Sequence, residues 1–530
     1  MLDIVTLNGY KIKDEKAVRS YETVALMKAD TKLKEGYHVK TKGYYSINDG
    51  GSTEYYITSS QSESEYQEEL ENGLYATLIV ENEVNILQGG AKPNDETFDS
   101  TLIINTLLSK FKKVIIPNGK FYVNNIRINS GNILKGNNRL YSILSTTSDN
   151  STIISNDNTG TRNGVIENLT IDGNNQASYG LYLDYFTHSS IVRNVTISKC
   201  DVGCYIDRCW YGQFINMDIS NNGRGLELNA NNSEINSIQF INCYINYATT
   251  DYGIYIKPTN HIINSIEFNS CTIEHTENKG IFIDTESAEF VRNLKINNCY
   301  FEQNKDNCID GIGRELTIEN CYFHPLSTSQ IIINSRFSSL FINNCFEEAN
   351  VIPNYSIYHT GTYLFCNCYY FNASNKLYTT ENCKVYVNSP QIPSNLYNMR
   401  LTKPGLYNPT NYNTATSNHI LFGINESAVD NNAPFEYKIK YDYSNAYFGI
   451  PLKITQKCKT GNETDLLTIS GRVNPKLKIN DITTFEIPKG STLDRPTTNI
   501  SSGCMYFDTT LGKPIWYNGT NWVDASGTQV

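Results

Sequence analysis

Three acidic residues fall in successive copies of a recurring segment: Asp184 in GLYLD, Asp207 in GCYID and Glu227 in GLELN. Each segment opens on glycine, at Gly180, Gly203 and Gly225, and the series continues as GIYIK from Gly253 and GIFID from Gly280. Alternation at period two reads as a strand with one face outward. Two places after the glycine the outward residues are Tyr182, Tyr205, Glu227, Tyr255 and Phe282. Four places after it they are Asp184, Asp207, Asn229, Lys257 and Asp284. If the copies stack, Asp184 and Asp207 lie ~5 Å apart, the spacing of a retaining glycosidase pair. Asp207 and Glu227 are diagonal at roughly 8 Å, an inverting spacing that leaves room for a water. Crowded carboxylates repel, which raises one pKa and readies a general acid. The rings suit stacking on sugar faces, and the bulge DRCWYGQ adds Arg208, Trp210 and Tyr211 as sugar-binding candidates. Elimination would instead need a base beside a uronic acid, which Tyr255 and Lys257 could supply.

A second cluster stands four places after a recurring Asn. Glu274, Glu302 and His324 follow one another there, with His275 adjacent. The plain alternative for both groups is that outward acids keep a strand stack soluble and discourage edge pairing. Asp172, in TIDGN, reads as a turn residue. The seven His show no ligand spacing, so no metal and no cofactor is expected.

The elements that would position these groups repeat with the Asn. Asn168, Asn194, Asn216, Asn242, Ser270, Asn298, Asn320, Asn344 and Asn367 follow at steps of 22 to 28 residues. Such a period means stacked units, each unable to bury its apolar face alone, and three short strands fit it where helical repeats need more. Aliphatics occupy the places four and two before the Asn, as in Ile266 and Phe268 or Leu294 and Ile296. After the Asn the apolar phase shifts by one, so a bend falls there, and stacked side-chain amides can satisfy it. Cys243, Cys271, Cys299, Cys321, Cys345 and Cys368 take the first inward place after the bend, where they act as small hydrophobes. The fold class is therefore all-β: a right-handed single-stranded parallel β-helix over 115–390.

The rest of the chain divides around it. Residues 1–88 form a small N-terminal module, and 89–125 a segment with a capping helix whose face is Leu102, Ile103, Thr106, Leu107 and Phe111. Alternating segments in 391–490 predict a C-terminal β-sandwich, and 491–530 a short tail module. Fifty-four Asp and Glu against 44 Lys and Arg give a net charge of -10, which argues against nucleic acid as a partner. Only 18% of residues are charged, although mean hydropathy is -0.40. The polarity comes instead from uncharged residues, including 38 Tyr. No apolar run suits a membrane span, so no membrane insertion is expected. MLDIVTLNGYKIKDEK lacks a signal peptide's apolar core. Synthesis in a cytoplasm, with reduced thiols, is expected.

Two stretches then carry a family resemblance. GGAKPNDETFDSTLIINTLLSKFKKVIIPNGKFYVNN resembles the opening segment of pectate-lyase-like phage tail spikes, matching at Gly90, Ala91, Asp95, Asp99, Pro117, Gly119 and Tyr122. Ser100 stands where that family usually has a second acid. TVALMKADTKLKEGYHVKTKGYYSINDGGSTEYYI is similar to the N-terminal module of many such spikes, and MYFDTTLGKPIW to a terminal module of phage tail proteins. The resemblance implies a homotrimer in the virion tail. Its N-terminal module would dock on tail or baseplate proteins, and its β-helix would engage host surface polysaccharide. It leaves open a depolymerase acting by hydrolysis, a lyase, a spike that only grips glycan or teichoic acid, and a structural tail component.

Overall fold

A computed structural model describes residues 18–156, 159–348, 355–367 and 487–530 apart from 499, and single strands elsewhere. Cys368 and the side chain of Asn367 lie outside the described residues. The chain forms two compact units, Met1–Thr414 and Ala415–Val530.

The first unit is a parallel β-helix of about eleven turns. Each turn contributes a strand before the Asn, a strand after it and a Gly-opened strand, as in Ile235–Ile241, Tyr244–Ala248 and Ile254–Ile256. Register is kept from coil to coil. Ile238 pairs with Ile266, then Leu294, Leu316 and Leu340, all within 1% of full burial. The bend has a physical cause. Asn168, Asn194, Asn216, Asn242, Ser270, Asn298, Asn320 and Asn344 all adopt left-handed backbone, with φ between 47° and 58°, a region Asn tolerates best after glycine. Their amides form the expected ladder: Asn194 donates to Asn168 at 2.7 Å, Asn216 to Asn194 at 3.1 Å and Asn344 to Asn320 at 2.9 Å.

Cys243, Cys271, Cys299, Cys321 and Cys345 are buried in one inward column. The recurring glycine is a spacing device. A Cβ on Gly225 would sit 2.5 Å from the Gly253 carbonyl oxygen, and one on Gly203 2.7 Å from that of Gly225. The Gly-opened corner therefore admits no side chain at the coil spacing of ~4.8 Å.

The helix Thr101–Lys110 covers the first coils, packing against Ile126–Ile128 and Lys113–Ile116. Of the expected face, Leu107 is buried and Ile103 and Phe111 pack against the core, but the face is rotated away from Leu102. Ile104, Leu107 and Leu108 are buried, while Leu102 is 78% exposed. Asn105 explains the rotation, since its amide donates to the Asn125 carbonyl and accepts from the Arg127 N–H, which turns that side to the coil. The N-terminal module is a five-stranded sheet with His38–Thr41 and Thr53–Thr58 adjacent. Its GYYSINDGG loop is organised by Asp49, whose carboxylate accepts N–H bonds from Tyr44, Tyr45, Ser46 and Gly51.

In the second unit, His419–Gly423, Pro434–Tyr441, Leu452–Cys458, Thr464–Ser470 and Lys476–Ile479 form one antiparallel sheet in chain order. The tail module is a separate four-stranded sheet from Lys489–Gly490 to Trp522–Val523. Burial raises the Asp508 carboxyl there, but Leu511 N–H, Thr492 and Arg495 outweigh it and hold the group at about 2.

Candidate functional site

The stacked order places Asp184 beside Asp207 and Tyr182 beside Tyr205, as the spacing predicts. Each of the three acids is engaged by neighbouring groups. Asp207 has no exposed surface, and its carboxylate accepts the N–H groups of Arg208, Asn231 and Asn232 and the Asn232 side-chain amide. Burial pushes its pKa up, the Asn232 N–H opposes that, and the charge on Asp184 adds to the rise. It anchors the bulge and cannot touch a polymer. Asp184 is held by Arg208 through two bonds of 2.5 and 2.6 Å. Glu227, 8% exposed, is bound by Arg224 at 2.5 Å, and Arg224 also pairs with Asp251. Asp184 and Glu227 thus stand in ion pairs and Asp207 in a ring of N–H donors, and these contacts shape the surface.

Of the rings on this face, Tyr205 and Tyr255 are buried and Tyr182 is half-buried. Tyr182 and Tyr205 stack at 4.7 Å with an interplanar angle of 6°. Two coils on, the Arg224 guanidinium covers the Tyr255 ring at 4.2 Å, and Tyr252 lies 4.8 Å from Phe282. The Tyr255 hydroxyl donates to exposed Asp284 at 2.5 Å. Burial and that bond push the phenol up, so Tyr255 is a donor and not a base. Lys257 is half-buried in the Asp284 column. Trp210 is half-buried against Tyr185, and Tyr211 is 58% exposed. Arg224, Asp251 and Tyr252 were not foreseen. Their signal was a charged or aromatic residue just before the recurring glycine.

The second cluster is assembled differently. Glu274, Glu302 and His324 are register partners on consecutive coils. His324 Nδ1 lies 3.3 Å from Glu302 and 3.7 Å from Glu348 on the next coil. The two carboxylate oxygens are therefore no more than about 7 Å apart, a limit that admits the spacing of a retaining glycosidase pair and the short end of the inverting one. The Glu302 and Glu348 side chains are 23% and 34% exposed. Glu274 is buried and takes a 2.5 Å bond from Tyr244, and His275 stacks on Tyr247. Tyr300, Tyr322 and Phe346 form a stacked column beside the acids, with centroids 5.3 and 5.0 Å apart. Tyr300 donates to Glu302 at 2.8 Å and Tyr322 to Glu348 at 2.6 Å. Partial burial and the Glu348 carboxylate push the Tyr322 phenol up to about 12. Glu348 and the ring column complete this cluster. The repeated Asn-Cys-aromatic triplet was the legible trace of the rings. Such an arrangement can pass a proton between acids beside a stacking platform. Among the described residues no group of His, Cys, Asp and Glu is placed to hold a metal ion.

A family model described as "Right handed beta helix region" matches residues 153–315. No curated protein sequence matches the chain. Among solved structures, the gp42 tailspike of Acinetobacter phage vb_AbaP_AS12 is similar at 14% identity and a TM-score of 0.53, over 92% of this chain and 97% of that one. The gp49 tailspike of Acinetobacter baumannii bacteriophage Fri1, a capsular polysaccharide depolymerase, is 14% identical with a TM-score of 0.49, over 86% of this chain and 92% of that one.

Proposed function

We propose that this chain is a phage tail spike that binds a host surface polysaccharide and cuts it by hydrolysis, with Glu302 and Glu348 as the acid and base. The observation that carries this reading is the His324 nitrogen, which lies within 4 Å of two partly exposed carboxylates beside the Tyr300–Tyr322–Phe346 rings. In hydrolysis one carboxyl gives its proton to the glycosidic oxygen, which leaves as an alcohol. The other takes a proton from the water that adds to the anomeric carbon, or adds to that carbon first and is released by water. His324 lies between them and can keep one proton within the group. Elimination would draw on Tyr255, whose phenol burial and the Asp284 bond push up, or on Lys257, and it is an outcome of the test below. The likeness to a phage tailspike over nearly the whole chain suggests the virion tail as the location. On that reading the spike is a homotrimer whose N-terminal module attaches to other tail proteins.

Incubation with a panel of capsular and exopolysaccharides tests this. New reducing ends without the absorbance of unsaturated uronates is the expected outcome. Absorbance would make the protein a lyase, and tight binding with neither product would leave a receptor-binding spike.

A further inference from the structure

The face made by the strands before the Asn bend carries a groove of about 420 Å³. Its floor is one column, Gln213, Gln239, Glu267 and Lys295, in register on four successive coils. Gln213 donates its amide to Gln239 at 3.5 Å, and Gln239 donates to Glu267 at 3.1 Å. Lys295 is already paired with Glu319 at 3.4 Å. Ser237, Ser265 and Asn293 form the side of the groove, and Asn293 donates to Ser265 at 3.1 Å.

Tyr211 stands at one end of the groove, 58% exposed, with left-handed backbone at φ 58°. Four more non-glycine residues at this corner, within 185–189 and 208–211, share that conformation: Tyr185, His188, Ser189 and Arg208. Such conformations cost on the order of 1–3 kcal/mol each and persist only where the surroundings enforce them. Gly212 lets the chain pass, since a Cβ there would lie 2.7 Å from Cys209 Sγ. The knuckle is braced by Tyr185 on Trp210 at 5.3 Å and His188 on Tyr211 at 5.6 Å. Strain at this corner thus presents an aromatic ring to solvent at the mouth of an amide-lined groove.

We propose that this groove binds a neutral or N-acetylated stretch of the glycan, away from the Glu302–Glu348 pair. Tyr211 stacks on a sugar face, and the Gln213, Gln239 and Asn293 amides bond hydroxyl and acetamido groups. Amides supply donor and acceptor together, as those groups require. The lysine in the lining is engaged by Glu319, so no free cation here favours a carboxylate or sulfate. A polymer laid along the axis meets the same column once per coil, every ~4.8 Å, close to the advance of an extended sugar chain. This rests on the polysaccharide reading above and adds to it a substrate class.

The chain has three tryptophans, Trp210, Trp516 and Trp522. Trp516→Phe with Trp522→Phe leaves Trp210, next to Tyr211, as a fluorescent reporter. In that background, made inactive by Glu302→Gln, the full-length chain is titrated with chitotetraose, dextran, oligogalacturonate and the polysaccharides of the cleavage panel. A neutral or N-acetylated glycan is expected to bind best. Tyr211→Ala and, separately, Gln239→Ala should each weaken it roughly fivefold or more, without a change in melting temperature. Binding indifferent to both substitutions, or strongest for oligogalacturonate, overturns the proposal. Failure of every glycan to bind the parent is a different result, and it removes the polysaccharide reading together with this one.

Discussion

His324 Nδ1 lies 3.3 Å from a carboxylate oxygen of Glu302. The two residues are register partners on adjacent coils, so the backbone brings the side chains within reach of each other. His324→Asn should lower cleavage about 10- to 100-fold, at the modest end of what acid–base groups supply. It should also move the pH profile of kcat. A residue that only supported the fold would lower the rate at every pH alike.

Asp207 is expected to matter for stability and not for turnover. Asp207→Asn puts an amide N–H where three backbone N–H groups converge, and unmet donors cost about 1–3 kcal/mol. Thermal melting should drop accordingly, while the folded variant keeps its rate per molecule. An inactive variant with unchanged melting would return Asp207 to the reaction.

The glycine ladder predicts intolerance to a single methyl group. Gly225→Ala brings a Cβ within 2.5 Å of a backbone oxygen on the next coil, and overpacking of this kind costs about 1–3 kcal/mol. Gly131, whose Cβ would meet nothing within 4 Å, is the control position. Its own φ of 76° means that Gly131→Ala tests strain without a clash. Melting curves of the two variants should rank them, with Gly225→Ala lower.

Two inward-facing titratable groups set opposing pH dependences. Burial raises Glu347 to about 7 and lowers His359 to about 4. For Glu347 the folded chain binds the proton more tightly than the unfolded one. Its contribution is full below the ordinary carboxyl value and is lost as pH rises to about 7. For His359 the unfolded chain binds the proton more tightly, so stability is lost as pH falls from the ordinary imidazole value towards 4. Each effect is about 3 kcal/mol, and they offset each other across mildly acidic pH. Glu347→Gln should expose the histidine limb, with melting temperature falling steadily on acidification below neutral pH. A flat profile in that variant would contradict the assignment.

What could be read from the residues alone was whatever repeats. The Asn bend recurs through most of the coils and the Cys column and Gly-opened strands through about half of them, and each reports a backbone demand that many copies share. The partners of outward side chains do not repeat. Asp184 and Asp207 stack as their spacing predicts, yet Arg208 occupies one and the Asn231–Asn232 backbone encloses the other. Neither partner follows from a period. Glu302, His324 and Glu348 were visible as one column, but that both acids reach one nitrogen depends on side-chain torsions. The capping helix went wrong for a related reason: Asn105, a polar residue, turns the coil-facing side, so apolar periodicity alone chose Leu102.

The most direct test is reducing-end release by Glu302→Gln, Glu348→Gln, Asp184→Asn and Glu227→Gln, measured side by side on the polysaccharide that the parent cleaves. The account predicts that Glu302→Gln and Glu348→Gln each lose about 10²-fold or more while still binding the polymer. Asp184→Asn and Glu227→Gln should keep most of the rate once folded. The reverse ranking would place the reaction on the Gly-opened face and contradict the account.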